Sequence, residues 1–481
     1  RCRDVVRGQD AVHSAGTLYL PMLKEQELSE YLAYVARTPF YNATWRTIAG
    51  FVGMLFRKPP IIETPKKLED YLKDVTMSGV SFEAFAKECA YEDLSVSRLG
   101  ILVDHPTQVQ NEDGSPVTVA QAEKLGLRPS MQQYKAEAII DWKYEYINNK
   151  NTLVQVRLLE EAVVAKNEFE SEFELRIKVL DLVDGNKYRM RIFKEDDEEQ
   201  IGEDVYPVMN GKNLDFIPFY FIGPDSTEAT LDDPILIDLV DLNLAHYRVS
   251  ADYEHGCHMT GLPTPVVSGY ATEFDAEGKA IPATFYIGST TAWVFPDANA
   301  KAEFLEFTGQ GLQALEKNLE RKENQMAAIG ARMLAPEKSG VEAAQTLAMR
   351  HSGEHSILAA IAIAVSEGLT KALTVFAEWA GVKGEIKFEI NRDFIPVIAD
   401  GNLLTQLMAL VQGGHMDAES LFDWLKRADL IAPEMTFDEM QKRIDEMPPP
   451  APIAAPGPND PNNPVDPNNP DNNQPNDPAN Q

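Results

Sequence analysis

Two helical patterns on either side of a short β-rich insertion constrain the fold of this chain more than any other feature. The first starts at Asp232-Asp233-Pro234, a capping carboxylate followed by proline at the first helical position, and predicts a helix over about 231–259. The second predicts a helix over about 308–333. The apolar stripes of the two patterns are Ile235, Leu239, Leu242, Ala245 and Val249, and Leu312, Leu315, Leu319, Met326, Ile329 and Met333. Each helix therefore buries only one side.

The insertion between the helices, PTPVVSGYATEFDAEGKAIPATFYIGSTTAWVFP, is rich in β-branched, aromatic, Gly and Pro residues, which is typical of short strands and turns. We expect a small β module between two antiparallel helices. This organisation, with the phrases DLVDLNLAHYRVSADYEHG and GLPTPVVSG, resembles the portal proteins of tailed bacteriophages. Those proteins form the ring at one capsid vertex through which DNA passes. The resemblance covers roughly residues 1–447.

The resemblance implies an α+β portal fold with an α/β wing, a two-helix stem, a small β-rich clip, a long wing helix and a helical crown. Its implied boundaries are 1–230 for the wing, 231–262 for stem helix 1, 263–303 for the clip, 304–333 for stem helix 2, 334–340 for a tunnel loop, 341–399 for the long wing helix and a strand, 400–447 for the crown and 448–481 for a tail.

Patterns elsewhere in the chain predict a mixture of helices and strands. Residues 17–60 and 80–92 are helical in pattern, and LGILVDHP from Leu99 predicts a strand. Residues 136–222 are strand-rich, and Asp184-Gly185 is a strong hairpin-turn signal between two of the strands. A long Ala-rich helix over about 341–380 ends at Gly381, and GEIKFEINRDF and two or three short helices follow.

The last 34 residues have a different composition. Residues 448–481 contain 12 prolines, nine asparagines and four aspartates, and no lysine, arginine or aromatic residue. Such a segment has too little apolar surface to form a core. We expect a flexible tail.

The chain is strongly acidic, with 75 Asp and Glu against 44 Lys and Arg and a formal charge of -31. A protein that grips nucleic acid by neutralising phosphates has the opposite balance. A ring of such subunits would present a repulsive wall along which a duplex slides without sticking. The alternative is that the acidity only keeps the chain soluble.

The cysteines and the apolar segments indicate a cytoplasmic site of synthesis. Cys2, Cys89 and Cys257 are odd in number and lack CxxC spacing, so a disulfide framework is not expected. The first residues lack an apolar signal core and an initiator Met, which is compatible with a trimmed chain. The longest uninterrupted apolar run, Ile357 to Val365, is shorter than the roughly 20 residues that span a bilayer.

Several constellations could suggest enzyme chemistry. His351-Ser352-Gly353-Glu354-His355 matches the H-x-x-E-H motif of inverted zinc proteases. It falls inside the long Ala-rich helix, where polar residues on a helix face are the alternative. The spacing of His246, His255, Cys257 and His258 fits no standard zinc site. Neither G-x-S-x-G nor G-x-x-x-x-G-K-[ST] is present. We therefore predict no catalytic residues, metal or cofactor.

The resemblance places the candidate sites on surfaces. Its DNA-facing tunnel loop would be Ala335, Pro336, Glu337, Lys338, Ser339 and Gly340, for which an ordinary turn between helices is the alternative. Candidates to face the channel from the second stem helix are Lys317, Arg321 and Lys322, although these bases could instead pair with Glu316, Glu320 and Glu323 or with the next subunit. Candidate clip interface residues are Tyr270, Phe285, Tyr286, Trp293 and Phe295, whose alternative role is the core of the β module.

These expectations combine into a virion protein without catalytic activity. By resemblance, it forms a ring, as a dodecamer, at the capsid portal vertex after assembly in the host cytoplasm. The implied partners are the terminase large subunit, a head-tail adaptor protein, the major capsid protein and double-stranded DNA that passes without sequence specificity, with no membrane. The alternatives are a zinc-dependent hydrolase using His351, Glu354 and His355, and a tail or baseplate scaffold that does not conduct DNA.

Overall fold

The computed structural model describes residues 1–106, 126–165, 167, 169–184, 186–196, 199–261, 264–269, 273–274, 276–281, 293, 295, 299–305, 309–331, 344–392, 401–427, 430–432 and 435–446. The chain divides into two units, Arg1–Phe394 and Ile395–Gln481. Both helices and strands are extensive, which confirms the α+β class. The predicted tail at 448–481 lies outside the described residues.

The first unit contains most of the helices. These are α1 Cys2–Arg7, α2 Gln9–Ser14, α3 Leu28–Arg37, α4 Ala43–Leu55, α5 Glu69–Leu72, α6 Phe82–Val96, α7 Ile237–Gly261, α8 Leu312–Met326 and α9 Ala344–Trp379. Short 3₁₀ turns occupy Gly16–Leu18, Lys66–Leu68 and Ala136–Ala138, and a π-helical turn occupies Ala327–Ala331. The helical pattern predicted over 17–60 is thus divided mainly between α3 and α4.

The strands form small antiparallel sheets. They are β1 Ile61–Glu63, β2 Leu99–Asp104, β3 Ser130–Lys135, β4 Ile139–Ile147, β5 Lys150–Ala165, β6 Ser171–Val183, β7 Lys187–Lys194, β8 Gln200–Val205, β9 Val208–Met209, β10 Lys212–Asn213, β11 Phe219–Ile222, β12 Thr264–Ser268, β13 Glu273–Phe274, β14 Ala280–Ile281, β15 Lys301–Leu305 and β16 Lys387–Glu389. The sheets have the orders β4-β5-β6-β7-β8, β11-β2-β3, β1-β16, β9-β10, β12-β15 and β13-β14.

The five-stranded sheet follows the sequence prediction closely. Consecutive strands pair as hairpins, and the β6–β7 turn closes at Val183 and Lys187 as the Asp184-Gly185 signal indicates. Asp184 and Asn186 both have positive φ, at 42° and 69°, as a tight hairpin turn requires. The core face of this sheet packs on the three-stranded sheet.

Helix α9 lies in the main core. Large apolar residues recur at helical spacing among its buried positions, and they include Leu358, Ile361, Val365, Leu369, Leu373 and Phe376. They pack with α4, α6, β2 and β11. The approach to β11 is close, because a Cβ on Gly368 would lie 2.5 Å from Cγ1 of Ile222.

The uninterrupted apolar run Ile357 to Val365 is part of a longer apolar segment of α9. Of the helices in the described part of the chain, Ile357–Trp379 meets the length and hydropathy of a membrane span, and 56% of its most apolar window is buried. The apolar pattern continues past Val365 because the helix packs against neighbours along its length. Its place in the core accounts for that composition.

The second unit contains α10 Gly401–Gln412, α11 Ala418–Arg427 and α12 Phe437–Asp445. These agree with the predicted short helices. Helix α12 begins with a capping box, in which the Thr436 hydroxyl accepts from the Glu439 backbone N–H and the Glu439 carboxylate accepts from the Thr436 backbone N–H.

The boundaries of the two bracketing helices differ from the prediction. Helix α7 begins at Ile237, so Pro234 precedes it and does not occupy its first turn. Before the helix, the Ile237 N–H donates to the Pro234 carbonyl at 3.0 Å in a turn, and the Ile235 N–H donates to Ser97 Oγ at 2.9 Å. Helix α8 ends at Met326 and passes into the π-helical turn. Thr308 and Met333 lie outside the described residues.

Candidate functional site

Helices α7 and α8 form the antiparallel pair that the sequence predicts. Near one end of the pair, a Cβ on Gly256 would lie 2.5 Å from Cδ2 of Leu312. Further along, His246 Nε2 lies 3.4 Å from Glu323 Oε1. Between these two contacts, the residue number falls by ten on α7, from 256 to 246, and rises by eleven on α8, from 312 to 323. The helices therefore run in opposite directions. The close approach at Gly256 depends on the absence of a side chain there.

The face of α7 that packs is wider than the predicted stripe. Of that stripe, Leu239 is buried, whereas Ile235, Leu242, Ala245 and Val249 are half-buried. The buried residues of α7 are Leu239, Val240, Asn243, Leu244, His246, Tyr247, Ser250 and Ala251. They face two sets of neighbours, because α7 packs on the N-terminal helices as well as on α8. Sequence periodicity missed the polar members of this face.

Asn243 is the most connected of these polar residues. Its Oδ1 accepts hydrogen bonds from the backbone N–H groups of Ala43 at 3.1 Å and Thr44 at 3.2 Å, and from the Thr44 hydroxyl at 3.1 Å. Its Nδ2 donates to the Tyr41 carbonyl at 2.7 Å. Ala43 and Thr44 belong to the first turn of α4 and Tyr41 precedes it, so a side chain of α7 accepts from N–H groups that a helix start leaves without an intrahelical acceptor.

His246 lies at the contact between α7 and α8. Its side chain is 6% exposed, and burial lowers its pKa, an effect that the Glu323 carboxylate partly opposes. Nδ1 is buried without a hydrogen-bond partner among the described residues. The neutral ring with its proton on Nε2 fits this arrangement, because Nε2–H can then donate to Glu323. His246 is thus a packing residue with one polar contact.

The insertion between the helices consists of short antiparallel pairs. Strands β12 and β15 pair from Thr264 with Leu305 to Ser268 with Lys301, and β13 pairs with β14. This agrees with the predicted β module. Of the candidate clip residues, Trp293 and Phe295 are half-buried. Tyr270, Phe285 and Tyr286 lie outside the described residues.

The outer face of α8 carries the candidate channel bases. Lys317 and Arg321 are exposed and Lys322 is half-buried. Arg321 Nη2 donates to Asn318 Oδ1 at 3.2 Å. Within the part of the chain that the structure describes, none of the three bases forms an ion pair with a carboxylate. A shallow groove on this face is lined by Lys317, Glu320, Arg321, Asn324, Gln325 and Ala328.

The other candidate sites are described only in part. The loop from Ala335 to Gly340 lies outside the described residues. His351, Glu354 and His355 lie in α9, and their side chains are also outside the described part. Among the described residues, no three His, Cys, Asp or Glu side chains come together as a metal site. His255 instead stacks edge-on against Tyr34, with ring centroids 5.4 Å apart.

Comparisons with known proteins bear on this region and on the fold. A family described as a domain of unknown function (DUF4055) matches residues 235–380, which include α7, the insertion, α8 and the long helix α9. No curated protein matches the chain.

Chains from gene transfer agent (GTA) particles are among the similar solved structures. A chain in the virion of the native particle has 11% identity and a TM-score of 0.38, over 88% of this chain and 99% of that chain. A chain in the neck of the empty particle, computed with C6 symmetry, has 10% identity and a TM-score of 0.39, over 80% and 90%. A chain in the neck of the native particle, computed with C12 symmetry, has 9% identity and a TM-score of 0.34, over 86% and 97%. Likeness at this level establishes neither the activity nor the partners of this chain.

Proposed function

We propose that this chain is a portal protein, a subunit of a virion ring through which double-stranded DNA is packaged and ejected. The observation that carries the proposal is the antiparallel pair of α7 and α8 joined by a small β module. The sequence resemblance assigns this element as stem and clip. Residues 1–230 and 341–399 then form the wing, and α10 to α12 form the crown.

The charge distribution supports a passive channel. Helix α8 carries Lys317, Arg321 and Lys322 against Glu316, Glu320 and Glu323, so it is locally balanced in a chain whose formal charge is -31. Exposed Lys317 and Arg321 contact phosphates transiently, whereas the acidic remainder prevents tight binding. The duplex therefore slides through the channel, and its base sequence is not recognised.

The remaining parts take roles that follow from the same assignment. The loop Ala335–Gly340 touches the duplex, and the clip residues Tyr270, Phe285, Tyr286, Trp293 and Phe295 dock the terminase motor and the head-tail adaptor. The major capsid protein surrounds the wing. The subunit itself has no catalytic role, so the energy for packaging comes from the separate motor.

Electron microscopy of the purified chain tests this proposal. The expected result is a closed ring, of about twelve subunits, with a central channel wide enough for the ~20 Å duplex, whose grooves are each of the order of 10 Å wide. Native mass spectrometry gives the subunit number. A closed oligomer without a channel would favour the scaffold alternative, and stoichiometric zinc bound by wild type but not by His351→Ala would favour the hydrolase. A chain that stays monomeric at all concentrations would contradict the proposal.

A further inference from the structure

The long hairpin formed by β5 and β6 extends beyond the strands on either side of it. Strand β4 pairs with β5 only as far as Leu158, and β7 pairs with β6 only from Arg176 onward. Beyond these limits, β5 and β6 pair only with each other among the described strands, from Glu161 with Leu175 to Ala165 with Ser171. At roughly 3.3 Å per residue this two-stranded segment is about 16 Å long. We call residues 159–175 the arm.

The arm has one apolar face whose side chains are largely exposed among the described residues. Val163 and Phe173 are directly opposite each other in the register, and Leu175 is two residues further along the same face. Their exposed fractions are 64%, 64% and 43%, and Phe169 between the strands is 91% exposed. Apolar surface of this kind, rimmed by charges, is typical of an interaction site.

The arm is also acidic. Residues 159–175 contain six glutamates and one lysine. On the strand face opposite to Phe173, the alternation places Glu172 and Glu174. A partner surface therefore needs to be apolar at its centre and basic at its edge.

A groove between α9 and β16 has those properties. Its volume is about 460 Å³, and its apolar lining includes Ile363, which is 41% exposed, and Phe388. The charged residues that line it are three bases, Lys371, Lys387 and Arg392, and two acids, Glu367 and Glu389. This local excess of positive charge contrasts with a chain whose formal charge is -31.

The groove is held in shape by hydrogen bonds that do not involve a partner. The Thr370 hydroxyl accepts from the Phe388 backbone N–H at 3.2 Å and donates to the Phe388 carbonyl at 3.1 Å, and the Ser366 hydroxyl accepts from the Ile390 N–H at 2.9 Å. These contacts saturate the edge of β16 that faces α9. An occupant therefore binds by side-chain burial rather than by adding a strand.

We propose that the arm of one copy of this chain inserts Phe173 and its neighbours into the groove of the next copy. In the structure, the arm does not line the groove of its own chain, and its apolar side chains are exposed. The arm and the groove are different surfaces, so the contact is head-to-tail, and repetition of such a contact gives a ring when the rotation between successive copies closes and an open filament when it does not. The inference rests on the proposed function, which supplies the ring, and names the surfaces that join its subunits.

Disulfide cross-linking tests the contact directly. Phe173→Cys and Ile363→Cys are combined in a Cys257→Ser background, since Cys2 and Cys89 are buried. Oxidation is expected to give a ladder of covalent oligomers from the double variant, and only dimers from a mixture of the two single variants. The control pairs Ile363→Cys with Tyr146→Cys, an exposed aromatic on β4 of the same sheet. A ladder no stronger than that of the control would overturn the inference.

A charge substitution tests the contribution of the contact to assembly. Phe173→Lys places a cation against the basic edge of the groove and is expected to raise the concentration at which rings dissociate by at least about tenfold. Tyr146→Lys is the matched control and should leave that concentration unchanged. If Phe173→Lys does not weaken the rings, the inference is wrong and the proposed function is unaffected. The same conclusion holds if the arm is then found to bind another capsid protein. A wild-type chain that never forms rings would overturn both.

Discussion

The Oδ1 atom of Asn243 lies 3.1 Å from the backbone nitrogen of Ala43, across 200 residues of sequence. A residue of the first long helix thus caps the start of α4. Replacing Asn243 with Ala would remove the acceptor of the buried Thr44 N–H and one of the two partners of both the Ala43 N–H and the Tyr41 carbonyl, which also bond each other at 3.0 Å. We expect Asn243→Ala to lower the free energy of unfolding by about 2–4 kcal/mol, measured by urea denaturation.

Asn324→Ala provides the control for this prediction. Asn324 is exposed on the outer face of α8. Alanine has the better helix propensity, so the free energy of unfolding should stay within about 0.5 kcal/mol of wild type. Equal effects of the two substitutions would show that the cap contributes little.

Two helical glycines should respond to alanine in opposite directions. Gly53 in α4 has no atom within 4 Å of the position of an added Cβ, so Gly53→Ala should stabilise the protein by about 0.5–1 kcal/mol through helix propensity. At Gly368 the added Cβ would lie 2.5 and 2.6 Å from Cγ1 and Cδ1 of Ile222. Gly368→Ala should therefore destabilise the protein by about 1–3 kcal/mol despite the same gain in propensity. Thermal unfolding of both variants measures the difference, and stabilisation by Gly368→Ala would mean that the contact between α9 and β11 is loose.

The contact between His246 and Glu323 can be followed by titration. Burial lowers the pKa of His246, and the neighbouring Glu323 carboxylate has a smaller effect that raises it. Glu323→Gln should therefore lower the pKa of His246 further, as measured from its ring resonances by NMR. Glu320→Gln, on the outer face of α8, should not change it. A rise of the pKa in Glu323→Gln would contradict the observed pairing of the two helices.

The pKa of His246 also predicts how stability depends on pH. The folded state binds the proton less readily than the unfolded state, whose pKa is about 6.5, so this group costs stability as the pH falls below that value. The decrease in the free energy of unfolding as the pH falls below about 6.5 should be smaller in His246→Gln than in wild type.

Asp93 should have the opposite effect on stability. Neither carboxylate oxygen has a hydrogen-bond partner in the described part of the chain, and burial, together with the charges of Asp225 and Glu92, raises the pKa to about 8. The unfolded state releases this proton near pH 4, so stability falls as the pH rises from about 4 to 8. Between pH 5 and pH 8, wild type should lose about 1–4 kcal/mol more than Asp93→Asn in urea unfolding. Parallel pH profiles for the two proteins would show that Asp93 is paired.

The exposed bases on α8 should affect DNA passage but not assembly. Lys317→Glu combined with Arg321→Glu changes two exposed side chains on the outer face of α8, so rings should form as in wild type. Added repulsion at the channel wall should reduce the DNA packaged per particle at low salt, and the defect should shrink at higher salt. Lys24→Glu with Arg37→Glu introduces the same charge at exposed positions elsewhere. Equal packaging defects in both double variants would place Lys317 and Arg321 away from the channel.

Local sequence patterns predicted those helices and strands in which the hydrophobic periodicity and the residues at the element's ends favour the same structure. The hairpin at Asp184-Gly185, the helix that ends at Gly381 and the capped α12 lie where the patterns indicate. In each, the local preference and the tertiary packing favour the same conformation, so short-range information is sufficient.

The antiparallel helix pair and its β insertion were also predictable, because two amphipathic segments with a β-rich linker have few ways to bury their stripes. The start of α7 was not predictable: Asp232-Asp233-Pro234 leads into a turn in which the Ile237 N–H donates to the Pro234 carbonyl, and the helix begins only at Ile237. Helix α7 also buries Asn243, His246 and Ser250, which no hydrophobic period can indicate.

By itself, the sequence determined the order of helices and strands and the acidity of the chain. Only the tertiary structure decided which faces are covered. The arm shows why: alternation along β5 and β6 places Val163 and Phe173 on one face, but whether that face is buried depends on where β4 and β7 stop pairing. Whether a residue is buried depends on neighbouring strands that are distant in sequence. The local sequence pattern carries no information about where those strands end.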